Sequence, residues 1–332
     1  MPFSSLHLLF LSLLIMGTMT ALSATSWFIA WVGLELNLMS FIPLITDKHN
    51  QFPSEAALKY FLIQALGSSM VIFAGPLSLH FPVFQATILI ALLMKLGAAP
   101  FHFWFPAIME GLNWTQSILL LTIQKVAPMF LISHLISNWT AASLVLLAAL
   151  ASALVGSVGG LNQLSLRKIL AFSSIAHMGW MLAAISLQDS LWILYFIFYS
   201  GISTSIALLF KSQQSFYFPQ LLTKSDSQPS LNIMNSFSLL SLGGLPPFSG
   251  FLPKWILIES LINTKMYFPL LILILSALIT LYYYLRLSSL ALLLLSTKKK
   301  ITFHHNKPTT LTPLLISSNL ICLFIPSIFL LF

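Results

Sequence analysis

Long apolar segments separated by short polar stretches run through almost the whole of this chain. A helix needs about 20 mostly apolar residues to cross a membrane, and eleven segments meet that length. They are predicted near residues 3–23, 25–45, 56–78, 84–106, 115–137, 140–160, 167–187, 190–210, 231–263, 266–290 and 311–331. The pattern therefore predicts an all-α polytopic membrane protein of about eleven transmembrane helices.

Two of the predicted helices carry residues that interrupt a helix. The fourth holds Lys95 and, five residues later, Pro100. The ninth is too long for one uninterrupted helix and contains Gly243-Gly244-Leu245-Pro246-Pro247 ahead of Lys254. Glycine weakens a helix interior through its excess freedom, and proline does so because it lacks a backbone donor. The ninth helix is therefore predicted to form two half-helices joined by an unwound stretch.

The spacing of these two lysine-bearing helices suggests an internal repeat. They stand five helices apart, and an odd spacing means that they enter the membrane in opposite directions. Inverted repeats with broken helices occur in many transporters. We therefore predict a single integral membrane domain, 1–332, with a first inverted five-helix repeat at 1–137, a second at 140–290 and a terminal helix at 311–331.

The composition excludes a soluble protein. Of the 332 residues, 58% are hydrophobic and 7% are charged, whereas a soluble domain carries about 25% charged residues. The net charge of +8 comes from scattered basic residues with one run at Lys298–Lys300, so nucleic-acid binding is not expected. The single cysteine, Cys322, rules out an internal disulfide, and no phosphate-binding loop or clustered metal ligands occur in the sequence. No cofactor or metal is therefore expected on this chain.

The basic residues also predict the orientation in the membrane. With eleven spans, eleven of the fifteen Lys and Arg residues fall on one side, one falls on the other, and three lie within helices. Basic loops stay on the inner side of a membrane. The N-terminus is therefore expected on the cytosolic or matrix side and the C-terminus outside.

Four charged residues lie deep within apolar segments: Glu35, Lys95, Lys125 and Lys254. Each such charge costs about 2.5–3.5 kcal/mol on insertion scales, and charges at this depth are mostly functional. Burial disfavours a charged lysine and a nearby carboxylate favours it, so the protonation of Lys95 would depend on how closely Glu35 approaches. The four residues are candidates for a proton relay. The competing interpretation is a static ion pair between Glu35 and one lysine that holds two helices together.

Two of these lysines are followed closely by proline. Pro100 and Pro128 cannot donate to the carbonyl groups four residues earlier, which belong to Leu96 and Gln124. At membrane depth such carbonyls must be satisfied by protein or by water in a cavity, so a hydrated site is expected beside each lysine. His177, also in mid-span, either relays protons, since imidazole titrates near neutral pH, or bonds a facing hydroxyl.

Five motifs contain these residues and resemble those of one family of membrane proteins. They are Trp31–Asn37, Met94–Trp104, Gln124–Pro128, Ser173–Trp180 and Gly243–Trp255. Their combination resembles the antiporter-like membrane-arm subunits of mitochondrial respiratory complex I and spans nearly the whole chain. Eleven helices would match the animal mitochondrial form of that family, which lacks the first three of the fourteen helices of bacterial relatives.

The resemblance implies a proton-translocating core subunit of NADH:ubiquinone reductase in the mitochondrial inner membrane. Glu35 would gate Lys95, Lys125 would be the central carrier, and Lys254 would lie toward the far half-channel, with His177 as a further relay candidate. NADH, FMN, iron–sulfur clusters and ubiquinone would be used by the whole complex and not bound by this chain. The implied partners are other membrane-arm subunits and lipid, cardiolipin included. The N-terminus would face the matrix and the C-terminus the intermembrane space.

Two alternatives stay open at this point. A subunit of a stand-alone cation/proton antiporter shares the lysine pattern and would show cation-dependent transport. A purely structural spacer, with its buried charges kept as fossil ion pairs, would tolerate simultaneous replacement of Glu35, Lys95 and Lys125 by apolar residues.

Overall fold

The computed structural model describes residues 5–46, 50–78, 81, 83–136, 139–224, 229–246 and 248–293. The regular structure of these residues is helical, apart from an isolated antiparallel bridge between Ser165 and Tyr217. The helices are α1 (Ser5–Leu22), α2 (Trp27–Ile45), α3 (Gln51–Leu77), α4 (Val83–Leu96), α5 (Trp104–Gly111), α6 (Trp114–Leu121), α7 (Ile123–Leu135), α8 (Trp139–Gly159), α9 (Leu166–Ile185), α10 (Asp189–Gln213), α11 (Phe218–Lys224), α12 (Pro229–Gly243), α13 (Phe251–Asn263) and α14 (Tyr267–Leu293). Eight helical stretches within the described residues are long and apolar enough to cross a membrane, which confirms the predicted all-α polytopic class.

Most predicted spans coincide with observed helices. The helices α1 to α3, α8 to α10 and α14 each match one predicted span. The short helix α11 is not predicted from the sequence. The predicted helix at 311–331 lies outside the described residues, so the count of eleven spans stays a prediction.

The fourth and ninth predicted spans are interrupted as predicted. The fourth is divided into α4 and α5 between Leu96 and Trp104, and the ninth into α12 and α13 between Gly243 and Phe251. Glycine and proline are concentrated in both gaps. Local chemistry alone therefore accounts for the position of these breaks.

The fifth predicted span is broken in the structure, contrary to the prediction of one continuous helix. A continuous helix is predicted over 115–137, whereas α6 ends at Leu121 and α7 begins at Ile123. Between them Thr122 has φ −114° and ψ −82°, outside the helical region. Its hydroxyl donates to the carbonyl oxygen of Ile118 at 2.7 Å, and a side-chain bond of this kind bends helices.

The chain forms two compact units, Met1–Ser152 and Ala153–Phe332. In the first unit α1 packs along α2, α2 along α3, and α3 against α4 and α5, while α7 contacts α1 and α4. In the second unit α12 packs against α10 and α14, and α13 contacts α9, α10 and α14. Packing within each unit does not test the inverted repeats at 1–137 and 140–290, which stay a prediction.

Two glycines let α1 and α2 approach closely. A Cβ atom at Gly33 would lie 2.6 Å from the backbone nitrogen of Ala21, and one at Gly17 would lie 2.9 Å from that of Asn37. Small residues allow such backbone contact between membrane helices. The contact positions α2, which carries both Glu35 and Asn37.

The helices α4 and α12 end with the same backbone motif. Gly97 (φ 70°) and Gly244 (φ 76°) each adopt the left-handed conformation just after the helix. The nitrogen of Gly97 donates to the carbonyl oxygen of Met94, and that of Ala98 to Leu93, both at 3.1 Å. The equivalent two bonds at Gly244 measure 3.0 and 3.5 Å. This pair of bonds is the Schellman motif, which satisfies the last carbonyl groups of a helix.

Candidate functional site

Lys95 and Lys125 line one small cavity in the first unit. Lys95 lies in the last turn of α4 and Lys125 in the first turn of α7, and their exposed fractions are 6% and 2%. The cavity volume is about 20 Å³, which is room for about one water molecule. The other lining residues are Leu34, Asn37, Tyr60, Gln64, Leu96, Trp104, Phe105, Leu120, Gln124 and Pro128.

Side chains from neighbouring elements close the end of α4 beside Lys95. Gln64 Nε2 donates to the carbonyl oxygen of Lys95 at 3.1 Å, and Trp104 Nε1 donates to that of Met94 at 3.0 Å. These are the two carbonyl groups immediately before Leu96, whose carbonyl is predicted from the sequence to be freed. Because backbone carbonyls at membrane depth need partners, the two side chains stabilise the broken helix at the lysine.

The break at Thr122 positions Lys125 at the cavity. The backbone nitrogen of Lys125 donates to the carbonyl oxygen of Thr122 at 3.1 Å, which makes a tight first turn of α7. The Lys125 ammonium lies 5.2 Å from the centroid of the Phe105 ring, where a cation–π interaction contributes about 0.5–2 kcal/mol. A residue from the second half of the broken fourth span therefore contacts the lysine of the fifth.

A chain of polar side chains crosses the cavity and joins three helices. The Tyr60 hydroxyl donates to Gln124 Oε1 at 3.0 Å, and Gln124 Nε2 donates to Asn37 Oδ1 at 2.8 Å. Tyr60 and Asn37 are buried, with exposed fractions of 2% and 3%. These two hydrogen bonds link α3, α7 and α2, and they involve both the oxygen and the nitrogen of the Gln124 amide.

Glu35 and Lys95 do not form the static ion pair that was the competing interpretation of the buried charges. No oxygen of Glu35 lies within 4.0 Å of the Lys95 nitrogen, both residues being in the described part of the chain. Glu35 nevertheless interacts electrostatically with Lys95. Its Oε2 atom is buried without a hydrogen-bond partner among the described residues. The two side chains therefore are not in direct contact.

Lys254 occupies the break between α12 and α13 in the second unit. It lies in the first turn of α13, and its side-chain Nζ donates to the carbonyl oxygen of Gly243, the last residue of α12, at 2.9 Å. A cation at the C-terminus of a helix is favoured by the helix dipole. The ammonium also lies 6.0 Å from the Trp180 ring centroid. Lys254, in the first turn of α13, therefore caps the C-terminus of α12.

His177 lies on α9 in the second unit and contacts a tyrosine. Its Nδ1 atom is 2.8 Å from the hydroxyl of Tyr195. Both residues line a second cavity of about 10 Å³, together with Phe198, Tyr199, Ile202, Leu242, Gly250 and Pro253. His177 and Pro253, the residue before Lys254, thus line the same cavity.

The structure assigns cavity positions to residues that the sequence analysis gives no role. Tyr60 and Gln64 lie on α3, away from every motif, while Asn37 and Gln124 lie inside motifs but beside the charged residues. Gln64 is a detectable signal, because an amide in the middle of an apolar span needs a partner. No such signal marks Tyr60, since tyrosine is common at helix ends and in cores. Within the described residues no group of three or more His, Cys, Asp or Glu side chains is placed to hold a metal ion.

Comparison with known proteins gives the class of the chain. The family model for the membrane-spanning part of NADH:quinone oxidoreductases and Mrp antiporters matches residues 24–81 and 75–280. The fold is similar to a chain of respiratory complex I from Thermus thermophilus with bound aureothin, with a TM-score of 0.81 and 22% identity over 96% of this chain and 76% of that one. It is also similar to a chain of the Mrp complex from Dietzia, with a TM-score of 0.72 and 18% identity over 84% and 59% of the two chains. The chain therefore belongs to the class of antiporter-type membrane subunits that this family model describes.

The relatives identify the family within that class. NADH-ubiquinone oxidoreductase chain 2 of Anopheles gambiae is 48% identical over 82% of each chain. The proteins of the same name from Locusta migratoria and Loxodonta africana are 41% and 39% identical, over 83% and 81% of this chain and 82% and 81% of theirs. The chain belongs to the NADH-ubiquinone oxidoreductase chain 2 family, which confirms the resemblance to complex I subunits.

Proposed function

We propose that this chain translocates protons across the mitochondrial inner membrane, as a core membrane-arm subunit of respiratory complex I, through a relay of buried Glu and Lys residues. The observation that carries the proposal is the burial of Lys95 and Lys125 in one water-sized cavity. Two lysines at membrane depth cost about 5–7 kcal/mol on insertion scales, comparable to the net stability of a domain. Apolar residues would pack the same space without that cost, whereas a relay needs groups that take up and release protons.

Each charged residue has a proposed role in the relay. Glu35 influences the charge of Lys95 through space, in keeping with their electrostatic interaction. Lys125 is the central carrier, and Lys254 serves the far half-channel from the second unit. His177 is a further relay group, because imidazole titrates near neutral pH and its ring contacts a hydroxyl at 2.8 Å.

The chain would supply proton movement to a larger redox complex. Its relatives are named for NADH and ubiquinone, and we propose that NADH, FMN, iron–sulfur clusters and ubiquinone are used by other subunits of the same complex. The partners would be other membrane-arm subunits and lipid, cardiolipin included. Large exposed apolar side chains such as Trp139 (87%) and Phe28 (63%) suit such contacts. We propose that the N-terminus faces the matrix and the C-terminus the intermembrane space.

Replacement of the central lysine tests the proposal. Lys125→Met keeps an unbranched side chain that is one atom shorter and removes the proton-binding group. The variant complex should assemble and oxidise NADH but lose coupled proton pumping in sealed vesicles. The matched control is Lys211→Met, at an exposed lysine near the end of α10, which should pump normally. Full pumping by Lys125→Met would refute the role of this lysine.

The similarity to an Mrp complex chain favours one second function, a cation/proton antiporter subunit. Transport by the purified complex in vesicles would then depend on sodium or potassium. We expect proton pumping that needs NADH oxidation and is unaffected by exchanging these cations.

A further inference from the structure

The cavity between Lys95 and Lys125 contains a single hydroxyl group among the lining side chains that the structure describes, that of Tyr60. A hydroxyl can accept a proton on its oxygen while it donates its own hydrogen. An amide accepts on oxygen and donates from nitrogen, so it does not pass a proton through one atom. Gln64, Gln124 and Asn37 therefore cannot substitute for Tyr60 in proton transfer.

The volume of the cavity makes this hydroxyl important. About 20 Å³ holds about one water molecule. Gln64 Nε2 donates to the carbonyl of Lys95 and Trp104 Nε1 donates to the carbonyl of Met94, and neither nitrogen both accepts and releases a proton. One water and the Tyr60 hydroxyl are thus what remains in this cavity to carry a proton from one lysine to the other.

The Tyr60 ring is fixed in place by its neighbours. Its centroid lies 5.1 Å from that of Phe41 and 6.1 Å from that of Trp104, both in edge-on arrangements. Its hydroxyl donates to Gln124 Oε1 at 3.0 Å, and the Gln124 amide is in turn held by Asn37 at 2.8 Å. The hydroxyl hydrogen therefore points at the residue adjacent to Lys125, while the lone pairs of its oxygen stay able to accept a hydrogen.

We propose that the Tyr60 hydroxyl is a proton-transfer link between Lys95 and Lys125, held ready by Gln124 and Asn37. The inference rests on the proposed proton translocation. A proton from the Lys95 ammonium passes to the cavity water, which gives one of its protons to the Tyr60 oxygen. The hydroxyl hydrogen leaves Gln124 and moves to the neutral amine of Lys125. One proton enters and one leaves, and Tyr60 and the water end as they began.

Tyr60→Phe in the assembled complex tests the link, because it removes one oxygen and keeps the ring. In sealed vesicles we expect at least a fivefold loss of the NADH-driven pumping rate. We also expect a larger decrease of that rate in D2O than for the unaltered complex, because proton transfer at this site becomes limiting. Tyr282→Phe is the matched control, at a tyrosine that is 61% exposed, and should leave both readouts unchanged. Unchanged pumping and isotope effect in Tyr60→Phe would overturn the link.

A second variant separates proton transfer from simple packing. Gln124→Met removes the same hydrogen bond but leaves the Tyr60 hydroxyl in the cavity. It should pump at least threefold faster than Tyr60→Phe, whereas equal losses would mean that the bond only holds α3 against α7. If Tyr60→Phe does not assemble, Tyr60→His and Tyr60→Met are compared instead. Faster pumping by the histidine variant supports the link, and equal pumping contradicts it.

Failure of this inference and failure of the proposed function give different results. If Lys125→Met pumps fully, the relay itself is wrong. If Lys125→Met is inactive and Tyr60→Phe pumps fully, the relay stands and protons cross the cavity without the hydroxyl.

Discussion

Gln64 Nε2 donates to the backbone carbonyl oxygen of Lys95 at 3.1 Å, so the middle of α3 is bonded to the last turn of α4. One helical turn along α3, a Cβ atom at Gly67 would lie 2.9 Å from Lys95 Cγ. The stem of the lysine therefore crosses α3 at a glycine, while an amide on the same helix satisfies its carbonyl. These contacts set where the Lys95 ammonium enters the cavity.

Gln64→Leu should destabilise the chain and displace Lys95. The substitution leaves the Lys95 carbonyl without its side-chain donor, and a buried unsatisfied carbonyl costs about 1–3 kcal/mol. We expect a lower midpoint temperature of thermal denaturation for the purified complex and slower proton pumping. Gln51→Leu, at the exposed first residue of the same helix, is the control and should change neither. An unchanged midpoint in Gln64→Leu would show that water replaces the amide.

The breaks differ in how far they could be predicted, because they have different physical causes. The breaks after Leu96 and Gly243 follow from glycine and proline nearby, whose backbone properties do not depend on the rest of the fold. The break at Thr122 depends on a hydroxyl that bonds back to Ile118. Threonine occurs within many continuous helices, so its presence alone does not predict a break.

The candidate site shows the same limit for side-chain contacts. Glu35, Lys95, Lys125 and Lys254 are recognisable because a charge in an apolar span is rare. The bond from Tyr60 to Gln124 joins residues 64 positions apart, and no local pattern encodes such a pairing. The position of a residue in an apolar span thus predicts that it needs a partner, and the packing of helices decides which one.

Gly244→Ala should disturb the second unit at Lys254. At φ 76° an alanine is strained, by about 1–2 kcal/mol. Its Cβ atom would also lie 3.0 Å from Lys254 Nζ, which bonds the carbonyl of Gly243. We expect lower thermal stability of the complex together with reduced pumping.

The control for that substitution is Gly201→Ala. Gly201 lies within α10, and no heavy atom lies within 4 Å of a Cβ atom built there. Alanine is favoured over glycine inside a helix by about 1 kcal/mol, so this variant should be at least as stable as the unaltered chain. Equal effects of the two substitutions would contradict the special role of the Gly244 conformation.

His177→Gln distinguishes the two interpretations of the buried histidine. Glutamine can still form a hydrogen bond to the Tyr195 hydroxyl, which lies 2.8 Å from Nδ1 in the structure, but it does not titrate near neutral pH. If His177 carries protons, the variant should assemble with normal thermal stability and pump at least twofold more slowly in sealed vesicles. His177→Leu, which removes the hydrogen bond as well, should in addition lower the stability, because the buried Tyr195 hydroxyl loses its partner. Normal pumping by His177→Gln combined with reduced stability of His177→Leu would instead give His177 a purely structural role, and the proton path of the second unit would then depend on Lys254 without it.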